Sequence, residues 1–148
     1  MSFTPPPLPD LLALQLWQLA VSFEARLAAE LSDLGLSVAA FRLIGEVMRA
    51  PAGLRQGELA RRLGVSAPTV SVAVAKLEKD GLLHRVQDPD DPRARRVCLA
   101  PNADLSAGVD VLTRLEVALT EGRGAGALDD ARALLADLDR RLQPPEQS

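Results

Sequence analysis

The segment Gln56–Gly81, QGELARRLGVSAPTVSVAVAKLEKDG, decides the fold. Leu59 and Leu63 lie four residues apart, with Ala60 beside them, while Glu58, Arg61 and Arg62 occupy the opposite face; this is a short amphipathic helix. Gly64 breaks it, Val65 is expected to plug the turn, and Ser66 can accept the orphan N–H groups of a second helix. Val70, Ala73, Val74 and Leu77 form the apolar stripe of that helix, spaced by three and four. Gly81 closes it as a left-handed C-terminal residue. Two short helices joined by a glycine-containing turn make a helix-turn-helix, whose second helix fits a DNA major groove.

Next come two strand candidates, Leu82–Val86 and Arg95–Leu99. Between them runs the polar, proline-punctuated stretch 87–94, QDPDDPRA, which predicts a hairpin. A helix-turn-helix followed by a hairpin is a winged helix. Here the chain resembles the MarR family of bacterial transcriptional regulators. The matching elements are Glu58-Leu59-Ala60, Leu63-Gly64-Val65-Ser66, Thr69-Val70-Ser71, Leu77-Glu78, Gly81-Leu82 with Arg85, Asp88-Pro89, and Asp91 with Arg93 in the wing. Each motif is short, but their order and spacing together are specific, and the flanking helices also fall where the family has them.

Working outward, Met1–Pro9 holds four prolines and is expected to form an extended arm. Asp10 is expected to cap a long helix over residues 10–34, whose apolar band includes Trp17, Phe23, Leu27, Leu31 and Leu34. That band is too wide for a helix packed on one side only. Ser37 should cap the next helix, with Phe41, Leu43, Ile44, Val47 and Met48 inward, and Leu54 should supply a short extra strand. Beyond the wing, Pro101-Asn102 is the expected start of a helix reaching Gly122, with Leu105, Val109, Leu112, Leu115 and Leu119 at helical spacing. A last helix carries Leu128, Ala131, Leu134, Leu135, Leu138 and Leu142. The expected fold is mainly α with a small β-hairpin wing: one domain over residues 10–148, its winged helix at about 37–100. The resemblance makes the helices at about 10–34 and 102–143 the dimerisation elements, and their leftover apolar stripes independently call for a second copy.

The net charge of −3 looks wrong for a DNA partner, but its distribution does not. Between Arg55 and Arg96 nine basic side chains face six acidic ones, so the segment is positive and the rest is negative. Phosphate contact requires that sign. One cysteine, no apolar run near the ~20 residues that span a bilayer, and no basic leader suit a cytoplasmic protein without membrane association.

With the apolar stripe inward, the second helix presents Ser66, Ala67, Pro68, Thr69, Ser71, Val72, Ala75, Lys76 and Lys79. Thr69 and Ser71 offer hydroxyls; Ala67, Pro68 and Val72 can pack on thymine methyl groups; Lys76 and Lys79 suit phosphates. The family commonly has arginine at the position of Val72, so direct readout of guanine is expected to be weaker here, with more reliance on DNA shape. The resemblance implies that Asp91 braces Arg93, which reaches the minor groove or its phosphates beside Arg95 and Arg96. The plainer reading is a solvated hairpin with local pairs to Asp88, Asp90 and Asp91. Arg85 is placed either to pair within the wing or to touch DNA. The resemblance also implies a symmetric homodimer on a pseudo-palindromic operator, and release by a small aromatic or phenolic effector near Trp17, Phe23, Phe41 and Met48; aromatics on apolar stripes are equally expected as core.

Catalytic and metal-site readings find no support. His84 has no histidine or cysteine at ligand spacing, and no nucleophile elbow or phosphate loop is present, so no catalytic residue, metal or cofactor is expected. Cys98 alternates with Val97 and Leu99 and is expected to face away from the core. A contrasting reading is a winged-helix dimer that serves as a protein-interaction module; the acidic total and Val72 favour it, while Arg93, Arg95 and Arg96 oppose it.

Overall fold

The computed structural model describes residues 11–143, so the proline-rich arm and Asp10 lie outside the described residues. Helix α1 spans Leu12–Ser32 and begins at Leu11 without a side-chain cap. It ends two residues short of the expected position. Leu34 follows it as an exposed residue, and Gly35 takes the left-handed backbone (φ 67°) that turns the chain. Helix α2, Val38–Met48, starts as expected: the Ser37 side chain accepts the Ala40 N–H at 3.1 Å. Strand β1 (Leu54–Arg55) follows, then α3 (Gln56–Leu63) and α4 (Ala67–Lys79). Gly64 and Gly81 have φ of 67° and 75°, and both close their helices as the sequence requires.

The wing strands are β2 (Leu83–Gln87), one residue later than expected, and β3 (Arg95–Leu99). The sheet has the order β1-β3-β2, all antiparallel, with Leu54 opposite Val97 and Arg85 opposite Val97 from the other side. Val97 is fully buried, and Cys98 and His84 face each other on the outer side, half-buried. Helix α5 (Ser106–Thr120) starts later than Pro101-Asn102 suggested. Those residues lie in a turn, and Asp104 makes the start instead, accepting the Ser106 N–H at 3.0 Å and the Ser106 hydroxyl at 2.6 Å. Helix α6 runs Ala125–Leu142.

The described residues fall in two compact units, one ending at Val111 and one beginning at Leu112. The first has an apolar core of Leu43, Ile44 and Val47 from α2, Leu59 from α3, Val70, Val74 and Leu77 from α4, and Leu54, Leu83 and Val97 from the sheet. Each contributing helix shows the three-and-four spacing that puts such residues on one face. Two expectations fail at the edges of this core. Met48, the last residue of α2, is 48% exposed, and Val65 is 43% exposed instead of plugging the turn. In the second unit, α6 buries no residue, and Leu134, Leu135 and Leu142 are exposed.

Charged pairs join α2 to α3. Glu58 accepts from Arg61 at 2.7 Å and from Arg62 at 2.7 Å, and Arg62 also reaches Glu46 at 3.5 Å. The hydrogen bonds from Arg61, then Arg62, pull the Glu58 carboxyl down to about 2 from an ordinary 4.5. Because the folded form favours the ionised carboxylate, its contribution is complete above about pH 4.5 and is lost as pH falls toward 2.

The core and its charged clasp can be tested separately. Leu77→Ala should cost about 2–5 kcal/mol in urea unfolding, because it empties a fully covered site; a loss under about 1 kcal/mol would show that the site collapses freely. Glu58→Gln should flatten the fall of melting temperature between pH 4.5 and 2 relative to the parent chain, and identical slopes would count against the clasp.

Candidate nucleic-acid interface

The second helix of the helix-turn-helix is fixed at its start by Ser66. Its hydroxyl oxygen accepts the Thr69 N–H at 3.2 Å and shares a 2.7 Å hydrogen bond with the Thr69 hydroxyl. The same contact that caps α4 therefore also engages one of its two outward hydroxyls, and Ser71 keeps the other. Ala67, Pro68, Thr69, Ser71, Val72, Ala75, Lys76 and Lys79 are all exposed, and Val72 stands 73% exposed at the centre of this face. Its isopropyl group stands on the side of α4 opposite the buried Val70, Val74 and Leu77.

Lys76 lies 3.7 Å from Asp80 and donates at 3.5 Å to the Gly35 carbonyl, which leans it back toward the α1–α2 turn. Lys79 has no such partner among the described residues. Arg85 pairs with Glu78 of α4, neither within the wing nor out toward solvent, and so clips β2 to the second helix.

The wing is organised around Asp88, whose side chain is fully covered. It accepts from Arg55 Nε at 2.6 Å, from Arg96 Nε and Nη2 at 2.9 and 3.3 Å, and from the Asp90 N–H at 2.9 Å. Hydrogen bonds from Arg55 and then Arg96 hold the Asp88 carboxyl well below the usual carboxylate range, against the effect of burial. Local pairing of the wing arginines with Asp88 and Asp90 is one reading of the sequence, and Arg96 makes it, but the burial of Asp88 and its link to Arg55, 33 residues away, follow no local pattern. Arg96, expected as a phosphate contact, is drawn inward to Asp88 and also bonds Asp90 at 3.0 Å.

Asp91 Oδ1 accepts the Arg93 main-chain N–H at 3.0 Å and makes no bond to the Arg93 side chain. The Arg93 and Arg95 side chains are exposed and without a partner among the described residues. Gln87 Nε2 donates to the Pro92 carbonyl at 3.1 Å, and the Asp88 N–H to the Ala94 carbonyl at 3.0 Å, so the loop that carries Arg93 is internally tied.

The residues named for an effector are spread along α1 and α2. Trp17, 68% exposed, lines a shallow depression with Gln18, Val21 and Ser22, while Phe23 is also exposed and Met48 points out of the α2 core. Phe41 is half-buried, its ring close enough to Gly108 that a Cβ there would lie 3.2 Å away. Two other cavities border α4. One lies against α2 and is lined by Leu43, Leu63, Val65, Val70 and Ala73, and the other lies under Gly35 and Ser37. Among the described residues no group of three or more histidine, cysteine or acidic side chains could hold a metal ion, and no helix is long and apolar enough to cross a membrane.

Residues 34–94, which hold this surface, match the family model described as MarR family. Comparison with curated proteins finds no match. Among solved structures, a probable transcriptional regulator from Pseudomonas aeruginosa is 25% identical with a TM-score of 0.69, over 88% of this chain and 98% of that one. The transcriptional repressor CouR, solved on a 23-mer DNA duplex, is also 25% identical, with a TM-score of 0.74 over 94% of this chain and 99% of that one. Wild-type MarR from E. coli has the same fold at 20% identity, with a TM-score of 0.69 over 93% and 98% of the two chains. A family model lying over the helix-turn-helix and wing, together with this fold along nearly the whole length, makes the chain similar to the MarR-family winged-helix transcriptional regulators.

Proposed function

We propose that the chain is a sequence-specific repressor that binds a pseudo-palindromic operator as a cytoplasmic homodimer and releases it when a small aromatic or phenolic molecule binds. One observation carries the DNA-binding part. Arg55, Arg61, Arg62, Arg85 and Arg96 are all committed to carboxylates, whereas Lys79, Arg93 and Arg95 are exposed and uncommitted. Arg42 of α2 is also exposed and uncommitted, so the free positive charge of the winged helix lies on α2, at the end of the recognition helix and on the wing. In this reading Lys79, Arg93 and Arg95 meet phosphates, while Ser71, Val72, Ala67 and Pro68 meet base edges. The complex of CouR with duplex DNA supports it by fold.

Homodimerisation is supported by the exposed apolar residues Trp17, Leu19 and Val21 on α1 and Leu134, Leu135 and Leu142 on α6. Two-fold symmetry then places recognition helices about 34 Å apart, near ~10 bp. Effector release is supported by the exposed aromatics Trp17 and Phe23. Trp17 is the only tryptophan of the chain, so its fluorescence senses any aromatic ligand beside it. An interaction module that has lost DNA binding is the competing reading, favoured by Val72 standing where a guanidinium would read guanine.

Fluorescence anisotropy with the upstream intergenic DNA and a scrambled duplex, over a range of salt, separates these. A repressor binds the first more tightly with a steep salt slope, and no binding to either at low salt would sink the proposal. Arg93→Ala should weaken binding to every sequence and reduce the salt slope by about one for each phosphate that Arg93 meets; an unchanged slope would remove the wing from the interface. Asp90→Asn should strengthen binding to both duplexes, since it removes an exposed anion from the DNA-facing loop, and weaker binding would contradict that placement.

A further inference from the structure

Asp88 is the buried charged residue of the described core, 2% exposed, whereas the other ion pairs of the winged helix lie nearer the surface. Removing a carboxylate from water is costly unless its lone pairs are filled, and here three separate segments fill them. Arg55 comes from β1 and is the residue directly before α3; Arg96 comes from β3; the Asp90 N–H comes from the wing loop. The Asp88 N–H closes the loop on Ala94, and inside that closure Asp91 holds the Arg93 N–H. The loop that bears Arg93, and the first residue of the strand bearing Arg95, are thus built on Asp88, while Arg55 ties the same carboxylate to the start of the helix-turn-helix.

We propose that Asp88 is the positioning residue of the wing: by gathering Arg55 and Arg96 it locks the hairpin to the helix-turn-helix, so that Arg93 and Arg95 reach DNA together with α4. This rests on the reading that the wing contacts DNA. It assigns Arg55 and Arg96 to the lock and leaves the phosphate contacts to Arg93 and Arg95. A neutral, same-shaped side chain in place of Asp88 would leave two guanidiniums facing one another around an uncharged group. The loop would loosen while the apolar core of Leu59, Leu77 and Val97 stays intact.

The test is a double-mutant cycle read by anisotropy, well below the melting temperature, with Asp88→Asn, Arg93→Ala and Val72→Ala in single and paired combinations. In the parent chain Arg93→Ala is expected to cost about tenfold in affinity, and in the Asp88→Asn background less than about threefold, because the wing is no longer held in place. Val72→Ala should cost the same factor in both backgrounds, since α4 does not depend on the lock; a general loss of folding would shrink both effects. An undiminished Arg93→Ala effect in the Asp88→Asn background would overturn the positioning role while leaving DNA binding standing. Failure of the parent chain to bind any duplex would overturn both. Should Asp88→Asn fail to fold, Arg55→Gln, which leaves Asp88 paired with Arg96, takes its place in the cycle with the same expectations.

Discussion

One apolar core underlies everything that this surface can do. Leu59 of α3, Leu77 of α4, Leu83 of β2 and Val97 of β3 are all fully or nearly fully buried in the same cluster. Helix and hairpin are therefore not two readers joined by a linker but two outgrowths of one packed interior, and close packing transmits position with little give. What the core cannot set is the orientation of the loop at the hairpin's tip, which extends beyond its reach. Polar contacts take over there, with Arg85 on Glu78 and the arginines on Asp88.

That division explains how an acidic protein can present a basic face. Glu58, Glu78 and Asp88 neutralise arginines that hold structure, and the cations left over lie on α2, α4 and the wing. Net charge counts both groups alike and so hides the distinction. The recognition helix itself is lightly charged, with Lys76 leaning toward Asp80 and the Gly35 carbonyl. Its central feature is apolar, which suits contacts with thymine methyl groups more than a bidentate grip on guanine.

Features set within a few residues are legible in the sequence. Ser37 and Ser66 cap as their positions suggest, Gly81 turns left-handed, and β3 runs over Arg95–Leu99 as expected. These depend on local hydrogen bonds and on backbone sterics, which short patterns encode. The start of α5 is harder to read, because Asp104 competes with Pro101-Asn102 and wins by supplying an acceptor. Met48 and Val65 belong by pattern to the interior and lie outside it, because periodicity marks a face but not where the covering neighbour ends. Asp88 is hidden for a related reason: a polar residue in a proline-rich loop resembles turn chemistry, and its burial depends on an arginine from a distant strand. The aromatics of α1 and α2 are ambiguous in sequence, since an apolar stripe does not say whether core, partner or ligand covers it.

The turn before β1 holds one further constraint. Gly53 has φ of 78° and lies so near β3 that a methyl group there would collide with Cys98 Sγ and come within 3.0 Å of the Val97 carbonyl. The half-buried thiol thus packs against bare backbone on one side. Any side chain at position 53 would have to displace that sulfur or push the turn away from β3, so the absence of one atom lets β1 close onto the strand on which the wing is built.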